Sequence, residues 1–152
     1  DCTITGNRAL RAGGGLHAGW GRVQVIGGRI SDNGAPLGGG LVLADACIAR
    51  LDGVEISRNR APVGAALAVN GQADVLVANC RFDGNRGEVR EDRLWGGDIL
   101  YSSGTFRHCP RITFEGCEFG SQMDSRRPIW TSSDYPGLVV LDQPRGTEVA
   151  PC

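Results

Sequence analysis

Ile30-Ser31-Asp32-Asn33-Gly34-Ala35-Pro36-Leu37-Gly38-Gly39-Gly40-Leu41 decides the fold, because the chain writes both ends of this stretch again on either side. Ile4-Thr5-Gly6-Asn7 precedes it, and Ile56-Ser57-Arg58-Asn59 and Phe82-Asp83-Gly84-Asn85 follow, so an Asn falls every 26 residues. The glycine half keeps step as Gly13-Gly14-Gly15-Leu16 and Gly64-Ala65-Ala66-Leu67, whose Leu trails its Asn by eight or nine residues. A fourth copy, Gly96-Gly97-Asp98-Ile99, trails by fourteen. Units this small cannot bury a hydrophobic face alone, so the copies must stack, and the chain reads as a solenoid.

Apolar residues inside a unit alternate, as in Val23-x-Val25, Leu41-x-Leu43 and Val75-x-Val77, which is the strand period of two. No window supports a helix. The spacing predicts an all-β parallel β-helix of about four to five coils, successive coils lying about 4.8 Å apart. Each coil carries three short strands: strand a at the glycine motif, strand b around Val23–Val25 and its equivalents, and strand c ending at the Asn. The column three before the Asn holds Ile4, Ile30, Ile56 and Phe82 and is expected to continue in Phe114, which puts Cys117 in the Asn column. Gly27, Gly53 and Asn79 mark the corner between b and c, since both residue types tolerate a left-handed backbone. By the same count Arg111 breaks that column. Outward positions on strand c read Thr3, Arg29, Glu55, Arg81 and Thr113, so opposite charges face each other across coils.

The pair formed by GG-x-[Ile/Leu] (GGGL, GGDI) and Phe-x-x-Asn (FDGN, with Ile for Phe in three copies) resembles the repeat of polymorphic outer membrane proteins. That resemblance implies the right-handed, pectin-lyase-like parallel β-helix class for residues 1–117. Residues 118–152 then form a long loop, a last strand at Gly137–Leu141 and a tail of the same domain. The departures are GAAL at 64–67 and Cys117 in place of Asn.

The 152 residues, 41% of them hydrophobic, with a formal charge of −1, describe one soluble globular domain without the basic excess of a nucleic-acid partner. All 16 basic residues are Arg. The chain opens without Met in the middle of strand c, so it reads as an excerpt of a longer protein, and no signal peptide or membrane-inserting segment occurs in it. Register makes most of the six cysteines core residues. Cys80 is expected in the inward column of Val54 and Ile112, and Cys109 in that of Val25, Leu51 and Val77. Cys2 and Cys80 share a column but lie three coils apart, roughly 14 Å, too far for a bond. Cys117 with Cys152 is the pair this register leaves open. No metal-ligand spacing occurs.

In carbohydrate-active members of the resembled class the reacting groups project outward from strand a. Here the outward columns read Gly15, Gly40, Ala66, Asp98 and His17, Val42, Ala68, Leu100. Only His17 and Asp98 are titratable, again about 14 Å apart. Paired carboxylates for glycoside hydrolysis are missing, so no catalytic residue, cofactor or metal is assigned. The better candidates sit in two long loops: Arg90, Arg93 and Trp95 in six extra residues before the fourth strand a, and Arg126, Arg127, Trp130 and Tyr135 in the next. Guanidinium forks with aromatic rings suit an acidic glycan. The same loops could instead cap the solenoid. Asn7, Asn33, Asn59 and Asn85 are read as structural, their amides bonding one another or the backbone. Arg8, Arg60 and Arg86, interrupted by Gly34, read as a solvated edge, acidic residues balancing them overall. These observations favour a non-catalytic segment of an extracellular or cell-surface protein. It would be an adhesin-like stalk or recognition module whose partner is a surface glycan or host protein. The alternative is a fragment of a polysaccharide lyase, hydrolase or epimerase.

Overall fold

A computed structural model describes residues 1–87, 100–103, 110–120, 129–131 and 138–142 of the chain, with 100–103, 129–131 and 138–142 described by their strand pairing alone. Every element is a β-strand and every pairing is parallel, giving a β-solenoid. Strand c is a five-stranded sheet made of β1 (Thr3–Thr5), β3 (Arg29–Ser31), β5 (Glu55–Ser57), β9 (Arg81–Asp83) and β13 (Glu118–Phe119), in that spatial order. Strands a and b are continuous in the first two coils, as β2 (Leu16–Ile26) and β4 (Leu41–Asp52). Later they separate into β7 (Leu67–Asn70) and β8 (Asp74–Ala78), then β11 (Leu100–Ser103) and β12 (Arg111–Glu115). The last pair is β14 (Ile129–Thr131) against β11 and β15 (Leu138–Asp142) against β12. A short ladder, β6 (Arg60–Ala61) with β10 (Arg86–Gly87), runs beside the Asn column. The strand expected at Gly137–Leu141 is therefore present.

The glycine motif and the Asn motif keep step because they touch. A Cβ on Gly40 would lie 2.6 Å from the Ala66 carbonyl and 3.0 Å from the Asn59 amide nitrogen, and one on Gly15 would lie 2.9 Å from that of Asn33. Those glycines leave room for the next coil's amide. The first glycine of each motif has a separate reason, a positive φ at Gly13 (64°), Gly38 (61°) and Gly64 (59°). GAAL at 64–67 retains that one and replaces the other two, so the departure lies where the backbone permits it. One residue more between Asn7 and Leu16 is absorbed by a β-bulge between Ala18 and Trp20, after which the 26-residue register resumes.

The core is a stack of apolar columns running from coil to coil. Ile30, Ile56 and Phe82 are buried in one; Leu51 and Val77 in another; Val54 and Cys80 in a third. In the first coil Ile4, Leu16, Val23 and Val25 are half-buried, since the described chain supplies them a neighbour on one side only. The fourth coil corrects the expected register. Phe119, not Phe114, pairs with Phe82, and Glu118, not Thr113, faces Arg81. Phe114 takes the column of Leu51 and Val77, the one expected for Cys109. Ile112 pairs with Val75. Cys117 stands beside Cys80 and not in the Asn column, and the corner is made by Gly116 (φ 58°), continuing Gly27, Gly53 and Asn79, so Arg111 breaks nothing. On strand a, Leu100 pairs with Leu67, and Tyr101 takes the place opposite Ala68 expected for Leu100.

The cause is a second insertion. Between paired residues the separation is 33 at Leu67–Leu100 and 37 at Asp74–Arg111, against 26 in the coils before. Seven residues therefore enter before strand a and four more between a and b. The second group carries no repeat residue, so counting along the sequence passes over it. Phe82, Phe114 and Phe119 then close on one another, with ring centroids 5.5–5.9 Å apart, one pair stacked and two edge-to-face. Such contacts add about 0.5–1.5 kcal/mol each beyond the area they bury.

Candidate functional site

The Asn column holds the backbone beside it in register from coil to coil. The Asn33 Oδ1 accepts the backbone N–H of Asn7 (3.0 Å) and its Nδ2 (3.0 Å). Asn59 does the same for Asn33 (3.0 and 3.1 Å), and Asn85 for Asn59 (3.1 and 3.0 Å). Each Nδ2 donates again to the carbonyl of an isoleucine one coil back: Asn33 to Ile4, Asn59 to Ile30, Asn85 to Ile56, at 2.8–2.9 Å. Asn33, Asn59 and Asn85 are buried. A buried amide left unpaired costs about 1–3 kcal/mol, and here every polar atom of the inner amides is used. The ladder is a structural spine.

One residue before each Asn the backbone turns left-handed, at Gly6 (70°), Asp32 (58°), Arg58 (52°) and Gly84 (60°). The two non-glycine members are joined across coils, Arg58 Nε and Nη2 donating to Asp32 Oδ1 and Oδ2 at 2.9 and 2.8 Å. This fork holds the Asp32 carboxyl below its usual range. On strand c Arg29 bonds Glu55 (2.8 Å). Burial of Glu55 opposes ionisation, but hydrogen bonds from Ser57 and Arg29 outweigh it and its pKa is also lowered. Arg50 and Asn79 do the same for Asp52. Asp32, Glu55 and Asp52 are thus each engaged by a neighbour.

Just beyond the Asn column runs a row whose arginines face groove space. Arg8, Gly34, Arg60 and Arg86 are in parallel register, one per coil. All three arginines are exposed, and none makes a salt bridge with a described residue. At Gly34, which has no side chain, the Arg8 guanidinium folds over the vacant place. Two grooves of about 680 and 600 Å³ flank the row, one floored by the Ala9, Ala35 and Ala61 side and the other reaching Asp32 and Arg58. Adjacent coils set Arg60 and Arg86 about 4.8 Å apart at the backbone, with Arg8 two coils from Arg60. Guanidinium forks at that spacing suit an extended polyanion with repeated carboxylate, sulfate or phosphate groups. In the sequence these three residues were legible as a column, but not which acids were already occupied, because the Arg58–Asp32 pairing depends on stacking.

The outward face of strand a differs from its expected form. Val42 and Ala68 are buried, packing with Ala44, Ala12 and Leu37 into a second apolar cluster separate from the core. Apolar side chains close the described part of the face on which a reaction centre would sit. His17 is exposed at its edge. Asp98 lies outside the described residues, as do Arg90, Arg93, Trp95, Arg126, Arg127 and Tyr135. Trp130 falls in β14, opposite Tyr101. Among the described residues no group of three or more His, Cys, Asp and Glu could hold a metal ion, and no helix is long and apolar enough to cross a membrane.

Comparison with known protein families, curated proteins and solved structures finds nothing that matches the chain.

Proposed function

We propose that this chain is a non-catalytic solenoid segment of a secreted or cell-surface protein, a recognition module or stalk that offers its Asn-side edge to an acidic glycan. The observation that carries the reading is the row of Arg8, Arg60 and Arg86, free of acidic partners among the described residues and bordered by grooves. Groove floors of small uncharged residues between guanidinium groups suit a chain that alternates charge with an uncharged sugar body. Affinity would come from charge-assisted hydrogen bonds repeated along the axis, each weak, summed over several coils. The right-handed hand of the coil and the likeness to the polymorphic outer membrane protein repeat, with the adhesin role it implies, belong to the same proposal. So do the loop residues Arg90, Arg93, Trp95, Arg126, Arg127, Trp130 and Tyr135, as an extension of the edge.

The rival reading, a fragment of a carbohydrate-active enzyme, has less support, because Val42 and Ala68 fill the outward strand a face with packed apolar groups. A glycan array that includes uronic-acid and sulfated polymers tests the choice, coupled to an assay for polymer cleavage. The expected result is salt-sensitive binding without cleavage, weakened about tenfold or more in an Arg60→Ala/Arg86→Ala variant. Gly34→Arg should tighten binding, since the nearest atoms to a Cβ there belong to the flexible Arg8 side chain. Release of shortened polymer would reject the non-catalytic reading. Binding indifferent to these substitutions would reject the arginine row.

A further inference from the structure

We propose that Cys80 and Cys117 form a redox-made disulfide that joins the third coil to the elongated fourth. The two occupy neighbouring places in one inward column, because Arg81 lies opposite Glu118 and the Glu118 N–H donates to the Cys80 carbonyl at 2.8 Å. Directly opposed residues on parallel neighbours sit about 4.8 Å apart at Cα, inside the window of about 4.4–6.8 Å that a disulfide spans. The sulfurs are also brought together. Cys80 Sγ bonds the Ala78 carbonyl (3.2 Å), while Cys117 Sγ crosses from its own coil to the adjacent carbonyl, Val77 (3.3 Å). The thiols interact with each other as well: the hydrogen bond from Cys80 holds the Cys117 pKa below the ordinary thiol value and pushes that of Cys80 up.

A bond at this place has a structural role that Cys2 and Cys47, the other described cysteines, lack. The Asn ladder is described only as far as Asn85, and the next coil admits both insertions between Cys80 and Cys117. A cross-link would close the longest coil at its base, where 37 residues replace 26. Cys47, by contrast, faces Gly21 in the coil before it and is an isolated buried thiol.

The oxidant is a small-molecule disulfide such as glutathione disulfide. The Cys117 thiolate, at the less buried of the two positions, attacks one sulfur of that disulfide and releases the first glutathione thiolate, which takes up the proton Cys117 gave up. Cys80, deprotonated in turn, attacks the Cys117 sulfur of the mixed disulfide and releases the second. Two thiols lose two electrons and two protons, and one glutathione disulfide becomes two glutathione thiols.

The test equilibrates the purified chain in glutathione redox buffers, alkylates remaining thiols after denaturation and maps linked peptides by mass. The expected product is one linked peptide pair containing Cys80 and Cys117, with Cys47 alkylated in full. Melting should rise by roughly 10 °C on oxidation and fall back with reductant. A Cys80→Ala/Cys117→Ala variant should melt at one temperature in both buffers. Alkylation of both Cys80 and Cys117 in oxidising buffer, or a link from either to Cys109 or Cys152, would overturn the proposal. If the double variant fails to fold, the peptide map of the unmodified chain decides alone.

Discussion

The first three coils and the fourth are built on the same columns but are fixed in different ways. Residues 1–87 repeat every 26 residues, each coil tied to the next by buried amides from Asn to Asn and by charged pairs such as Arg58–Asp32 and Arg29–Glu55. The fourth coil takes eleven more residues, yet Phe114 and Phe119 still reach the core columns, and Cys117 and Gly116 still extend the corner. An amide ladder needs its partner at one height and one angle, which coils of equal length supply from Asn7 to Asn85. Apolar columns ask only that a side chain of suitable size arrive at the right layer, and the loops can be any length that permits it. Among the described residues, the regular coils are joined by amides, charged pairs and apolar columns, and the fourth is joined by its apolar columns and the Arg81–Glu118 pair.

The sharpest way to break this comparison is inside the shared column. Ile56→Asp would bury a charge between Ile30 and Phe82, and the expected result is no cooperative unfolding transition by circular dichroism. A soluble variant with a sharp melt would refute the register. Next comes the ladder: Asn59→Ala removes the acceptor for two donors of Asn33 and the donor to Ile30, and should cost about 3 kcal/mol in urea unfolding. Asn7→Ala, at the exposed end, should cost well under half as much. Equal losses at both ends would mean that burial does not set the ladder's strength.

Smaller effects sharpen the electrostatic side. Asp32 and Glu55 both have lowered folded-state pKa values, so the stability they contribute is present above their ordinary values of 3.8 and 4.5 and is lost as pH falls through the folded values. The chain should lose stability in acid below about pH 4, and Asp32→Asn should flatten part of that loss while changing stability at pH 7 by no more than about 1 kcal/mol, the pair being exposed. An unchanged acid limb in the variant would show that the Arg58 fork contributes nothing. The smallest change is expected where the coil is already irregular. Removing residues 88–93 should leave the β-type dichroism and cooperative melting in place, and loss of either would make that insertion part of the scaffold.

Much of the fold was legible from residues at fixed spacing. Asn7, Asn33, Asn59 and Asn85 gave the period, Gly27, Gly53 and Asn79 gave the corner, and the alternation around Val25, Leu51 and Val77 gave the inward faces. The fifth rung was misplaced because Phe114 offers the same apolar side chain as Phe119, five residues away, and nothing local tells them apart. One signal was available: Gly116 stands three residues before Phe119, as Gly27 stands three before Ile30 and Gly53 three before Ile56. Counting from the corner, not from the large apolar residue, places the rung. Of the candidate site, the Arg8, Arg60 and Arg86 column was visible, but not its lack of acidic partners among the described residues.

The sequence by itself determined the solenoid, its period and its corners, because those follow from backbone preferences and side-chain columns that repeat at constant separation. Only the tertiary structure decided that Cys80 adjoins Cys117, that Asp32 engages Arg58 and leaves Arg8, Arg60 and Arg86 without an acidic partner among the described residues, and that Val42 and Ala68 close the described strand a face. Each is a contact between coils. The first depends on how many residues the two insertions absorb before the chain returns to the same layer, and the others on which way the side chains turn once equal coils are stacked.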